Sequence, residues 1–151
     1  MPEKKLVMAV DPSAHNCGVA VYTYSPLTLR TSFCHPLAHS LKRISLWLTI
    51  PAWKAVEVYD ASNEFDVIIE RVAVGPGADA ETVHAMNMVF EVCKDFVPEH
   101  KIHLISPGEW KPVIQALTLK GRIKAPCQGN EHIRDCKNMV MYWRLKNGLK
   151  L

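Results

Sequence analysis

The chain has 151 residues, about one ordinary domain and enough to bury a core. Hydrophobic residues at 48% and charged residues at 22% exclude a disordered chain, and no apolar run reaches the roughly 18 residues of a membrane span. The net charge is +3, and Lys111, Lys120, Arg122, Lys124, Arg134 and Lys137 fall in the last third, as a phosphate-tracking surface or a plain solvated face would have them.

The apolar run after Met1-Pro2-Glu3-Lys4-Lys5 is too short for a signal peptide, so a cytoplasmic, soluble protein is expected. Leu6 to Val10 is a buried strand running into Asp11. Pro12, Ser13 and Asn16 make a turn, and Gly18 to Tyr24 reads as a second strand. Thr31 to Cys34 suits a short third strand, which completes an antiparallel meander. Leu41, Ile44, Leu48, Ala52, Val56 and Tyr59 recur at helical spacing, with Pro51 expected to kink or split that helix. Asp66 to Glu70 is the clearest strand, again apolar residues ending in a carboxylate. Gly75-Pro76-Gly77 breaks the pattern, and a helix follows over Asp79 to Phe96, apolar on more than one face. Ile102 to Ile105 is a further strand. Pro107 opens a helix through Trp110, Val113, Ile114 and Leu117. Thr118 to Gly129 reads as a basic loop, and the last helix starts at Asn130 and stops at Asn147-Gly148. The order β-β-β-α-β-α-β-α-α predicts one mixed α/β domain over residues 1–151.

Two apolar strands ending in a charge need water, a partner or a metal at that end. A right-handed crossover would lay the two strands parallel, so that Asp11 and Glu70 emerge at one sheet edge, where α/β sheets bind ligands. His132 and Asp135 share one face of the last helix near its start, and Glu131 is close enough to join them. Three carboxylates and an imidazole suit two hard cations such as Mg²⁺, which favour in-line displacement at phosphorus. Each residue alone also has a plain structural role: a turn opener for Asp11, a surface ion pair for Glu70, a helix-face charge for Asp135. The case for a site is the set. Five cysteines, odd in number and scattered, argue against a disulfide framework, and Cys127, His132 and Cys136 lack an evident fourth zinc ligand.

The ordered set resembles the RuvC-like Holliday-junction resolvases. Ala9-Val10-Asp11-Pro12-Ser13 with Gly18-Val19-Ala20-Val21 is similar to the family's opening motif. Val67-Ile68-Ile69-Glu70 looks like its second, and His132-Ile133-Arg134-Asp135 like its closing His-x-x-Asp. Ser106-Pro107 with Trp110-Lys111 resembles the segment before that last motif. The resemblance implies an RNase H-like fold: a mixed five-stranded sheet, three antiparallel strands then two parallel, flanked by helices. It also implies a homodimer that uses Mg²⁺, or Mn²⁺, to nick two strands of a four-way DNA junction. Asp11, Glu70 and Asp135 would be carboxylate ligands, His132 a ligand or an orienter of water, and the helix from Asp79 to Phe96 the dimer contact. Ser13 stands where glycine is common, the loop after Glu70 carries no evident junction-opening aromatic, and the divergence and compact length look more like a bacteriophage version.

Besides a non-catalytic DNA-binding or structural protein of the same fold, which the intact four-residue set argues against, two other readings remain open. One is a nuclease of the same fold acting on RNA or other branched DNA. The other is an actin-like phosphate-binding lobe, although such proteins need two lobes and no nucleotide cofactor is expected here.

Overall fold

A computed structural model describes residues 6–24, 27–58, 65–122 and 130–148. The strands are β1 (Leu6–Asp11), β2 (Cys17–Tyr24), β3 (Leu27–His35), β4 (Phe65–Glu70) and β5 (Ile102–Ile105). The helices are α1 (Leu37–Val58), α2 (Ala80–Lys94), α3 (Pro107–Leu119) and α4 (Glu131–Lys146). The sheet runs β3-β2-β1-β4-β5. Its first three strands pair antiparallel, and β4 and β5 continue it parallel to β1. This is the sheet the sequence predicts.

Side chains alternate across a pleated strand, so each central strand feeds two cores. Leu6, Met8, Val10, Val19, Val21, Val67 and Ile69 point to one face and pack with Ile44 of α1 and Met86, Val89 and Cys93 of α2. Val7, Ala9, Ala20 and Ile68 point to the other and pack with Trp110 and Ile114 of α3 and Cys136, Met139, Val140 and Trp143 of α4. Each fully buried aliphatic side chain contributes about 1.5–3 kcal/mol. Burial of both faces explains why β1 and β4 read as continuous apolar runs.

Three local expectations differ from the fold. The third strand is longer than Thr31 to Cys34, because β3 lies at the sheet edge and its exposed Thr28, Leu29 and Arg30 dilute the apolar signal. Pro51 does not split α1, which runs unbroken through it. Thr118 and Leu119 belong to α3, whose C-cap is Lys120, while residues 123–129 of the expected loop lie outside the described residues. Asp79 caps α2 by accepting hydrogen bonds from the Glu81 N–H and the Thr82 hydroxyl. Among the described residues, no helix is long and apolar enough to cross a membrane.

Candidate active site

β1 and β4 run parallel in a register that pairs Val10 with Ile69, so Asp11 and Glu70 follow side by side at the carboxyl edge. By strand alternation both share a face with Ala9 and Ile68, the face covered by α3 and α4. Both are buried.

Each carboxylate meets a ring N–H from one of those helices. The Trp110 indole N–H donates to Glu70 Oε2 at 3.1 Å. His132 Nδ1 lies 2.7 Å from Asp11 Oδ2. An ionised carboxylate can only accept, so Nδ1 carries a proton and donates to it. Among the described residues, no donor engages Asp11 Oδ1 or Glu70 Oε1, and no Lys or Arg forms an ion pair with Asp11, Glu70 or Asp135.

Local sequence sets these contacts. Pro107 at the first turn of α3 and the Ser106/Glu109 capping box fix where that helix begins. Asn130 caps α4 by accepting from the His132 backbone N–H at 2.9 Å, which places His132 in the first turn. Gly18, paired with Asp11 across β1 and β2, makes the close approach possible. A Cβ there would stand 2.7 Å from His132 Cβ and 3.0 Å from its carbonyl carbon. The Cys136 thiol, one turn on, donates to the Gly18 carbonyl at 3.4 Å.

The electrostatics follow from burial and like charge. Burial pushes the Glu70 carboxyl up to about 7, with the Asp11 charge adding to it and the Trp110 hydrogen bond opposing it. Asp11 is raised by burial, against the His132 hydrogen bond and charge. Asp135, half-buried on α4, is raised by burial and by Asp11. Lys111 lowers all three, and Glu131 raises Asp11 and Asp135. The expected carboxylates therefore sense one another's charge. A cation is the partner that would relieve them.

That donor set fits a hard cation. Among the described residues, no three His, Cys, Asp or Glu side chains converge into a ready-made cage. Mg²⁺ does not require one, since it keeps several waters and takes one or two carboxylates. Zinc fits poorly. Cys136 is fully buried, its thiol pushed well above the usual range, and Cys127 lies outside the described residues.

Of the basic residues singled out above, Lys111, Lys120, Arg122 and Lys137 are exposed. Arg134 is half-buried, and its Nε is buried without a hydrogen bond among the described residues. Lys124 lies outside the described residues. Lys111 also borders a groove of about 550 Å³ between α3 and α4, which shares Trp110 and Asp135 with the carboxylate site. The sequence marks Trp110 only as a helix-face apolar residue and motif neighbour. Its bond to Glu70 spans 40 residues and leaves no local signal.

No family model matches the sequence, and no curated protein matches it. Among solved structures, the fold is similar to that of RuvC from Thermus thermophilus in complex with a Holliday junction substrate. The TM-score is 0.59 at 15% identity, covering 95% of this chain and 96% of that one. A second structure of the same protein gives 0.58 at 16% identity, with the same coverage. At this identity the likeness is one of fold, and the fold is the expected RNase H-like one.

Proposed function

We propose that this protein is a metal-dependent endonuclease that nicks branched DNA, with the four-way junction as its substrate. The observation that carries the reading is the pair of buried strand-end carboxylates, each with one oxygen held by a ring N–H and the other without a donor among the described residues. The fold likeness to a protein solved with a Holliday junction supports the choice of substrate.

In this reading Asp11, Glu70 and Asp135 hold two Mg²⁺ or Mn²⁺ ions, with His132 and Glu131 within reach. Bound ions would supply Lewis acidity and charge neutralisation at the scissile phosphate. The chain's own residues do the rest. Asp11 fixes the His132 tautomer, so that Nε2 can orient an attacking water or hold its proton. Lys111, beside the three carboxylates, draws the phosphate toward them. Lys120, Arg122, Lys124, Arg134 and Lys137 track the DNA backbone outward. A two-fold homodimer through α2, where Met88 and Phe96 of the helix and its exit are exposed, would present two identical sites to a two-fold substrate. Action in the cytoplasm fits a DNA substrate.

The test is Mg²⁺-dependent cleavage of a synthetic four-way junction beside flaps, linear duplex, RNA–DNA hybrid and structured RNA. Paired nicks in the junction are expected, and chelation should abolish them. Asp11→Asn should cut at least about 100-fold more slowly yet bind the junction normally, because the basic surface carries affinity. Equal or faster cutting of RNA would overturn the substrate. Normal cutting by Asp11→Asn would overturn the site.

A further inference from the structure

We infer that Trp110 is a positioning residue for the carboxylate site: its indole N–H sets the orientation in which Glu70 receives a cation. The inference rests on the reading of Asp11, Glu70 and Asp135 as metal ligands. Trp110 is 2% exposed, so the ring is a core element of the α3 and α4 face. Packing alone would be met by any aromatic ring of similar size. A buried indole N–H asks for more, because it must find an acceptor. The acceptor here is Glu70 Oε2, at 3.1 Å, at the end of the strand that the site is built on.

The two partners are fixed against each other by backbone. Glu70 pairs with Ile105 across β4 and β5, and the Arg71 N–H donates to the Ile105 carbonyl at 2.8 Å. Ser106, the next residue, is the N-cap of α3, and its capping box with Glu109 locks the first turn. Trp110 follows one residue later. The indole is therefore carried by a turn whose start is registered to the very residue it bonds.

The consequence for Glu70 is specific. A glutamate has three side-chain torsions, and the Trp110 bond selects one orientation among them. It also leaves Oε1 without a donor among the described residues. His132 treats Asp11 the same way, holding Oδ2 and leaving Oδ1. Hydrogen bonds to ligating carboxylates of this kind commonly support metal affinity by about 10- to 100-fold.

The experiment titrates Mn²⁺ alone into the full chain by calorimetry, for wild type, Glu70→Gln and Trp110→Phe. Trp110→Phe should bind Mn²⁺ about 10- to 100-fold more weakly, with unchanged junction binding in chelator. Because Phe is smaller and can disturb the core, a second variant carries 3-benzothienylalanine at position 110, which keeps the bicyclic shape and replaces the N–H by sulfur. It should lose the same affinity while melting like wild type. Wild-type Mn²⁺ affinity in the benzothienyl variant overturns the role of Trp110. Wild-type affinity in Glu70→Gln overturns instead the metal-ligand reading on which that role depends.

Discussion

β4 carries an acid at each end, on the same face. Asp66 and Glu70 are both buried, four residues and about 13 Å apart along one strand. Their surroundings are opposite. Asp66 accepts from His103 Nε2 at 3.0 Å and lies 3.9 Å from Lys101 Nζ, both supplied by β5 and the turn leading into it. Glu70 receives one neutral donor, Trp110, and faces the charges of Asp11 and Asp135. Taking a carboxylate out of water costs several kcal/mol unless a cation or several donors offset it. At Asp66 the fold supplies the Lys101 ammonium and a ring nitrogen of His103. At Glu70 no Lys or Arg is in ion-pair contact among the described residues, Lys111 acts only through space, and the charges of Asp11 and Asp135 stand alongside, an asymmetry that the proposed metal site would explain.

The sharpest way to break the comparison is to remove each acid in turn. Asp66→Ala removes the acceptor of His103 and a charge beside Lys101 and should destabilise the protein by about 3 kcal/mol. For a chain of this size that lowers Tm by roughly 6–12 °C. Cutting by the folded fraction should stay within about threefold of wild type. Glu70→Gln should do the reverse. Cutting should fall about 1000-fold, as when a key electrostatic group is lost, while Tm holds or rises because a crowded charge is gone. Thermal melts paired with cleavage assays below both transitions give the answer. A Glu70→Gln variant that melts far below Asp66→Ala would erase the distinction.

Gly18→Ala tests the geometry rather than the charge. The new Cβ would press on His132 Cβ and backbone, which cannot rotate away, so the start of α4 must shift. A misplacement of about 1 Å at a reacting group can cost about 100-fold in rate. We expect that loss in cleavage with junction binding retained. Gly108→Ala is the matched control, since its Cβ would meet only Ser106 Oγ at 4.0 Å. Equal activity in the two variants would detach His132 from catalysis.

The same contrast explains what was legible in the sequence. Leu6 to Asp11 and Asp66 to Glu70 announce themselves because strands buried on both faces are written as unbroken apolar runs. A terminal carboxylate on such a run stands out. The Asn130 cap and the His132/Asp135 spacing are likewise local signals. The apolar signal of Thr31 to Cys34 marks only part of β3, because an edge strand alternates with polar residues, and the helix expected to be kinked or split at Pro51 is not split there. The partners of the acids were hidden altogether. His103 lies 37 residues from Asp66 and Trp110 lies 40 from Glu70, so only the parallel register of β4 and β5 brings them together. Sequence pattern marks which residues are out of place in a core. It does not mark what the fold puts beside them.

The smallest effect is the most direct probe of that difference. Burial pushes the Glu70 carboxyl from the ordinary 4.5 up to about 7 in the folded protein. A raised folded value means that the native state binds the extra proton, so this contribution to stability is full below about pH 4.5 and is lost as pH rises to about 7. Asp11 and Asp135, also raised, act in the same direction. His35, whose ring is lowered by desolvation and by the charges of His39 and Arg43, acts the other way, so the whole-protein profile mixes signs. The informative quantity is therefore a difference. In chelator, the Tm of wild type should fall relative to Glu70→Gln as pH rises from 4.5 to 7. With Mg²⁺ added that fall should disappear, because a bound cation favours the ionised carboxylate that burial disfavours. Asp66→Ala should keep the wild-type slope at a lower Tm. Parallel profiles for wild type and Glu70→Gln would mean that Glu70 is compensated within the fold, as Asp66 is.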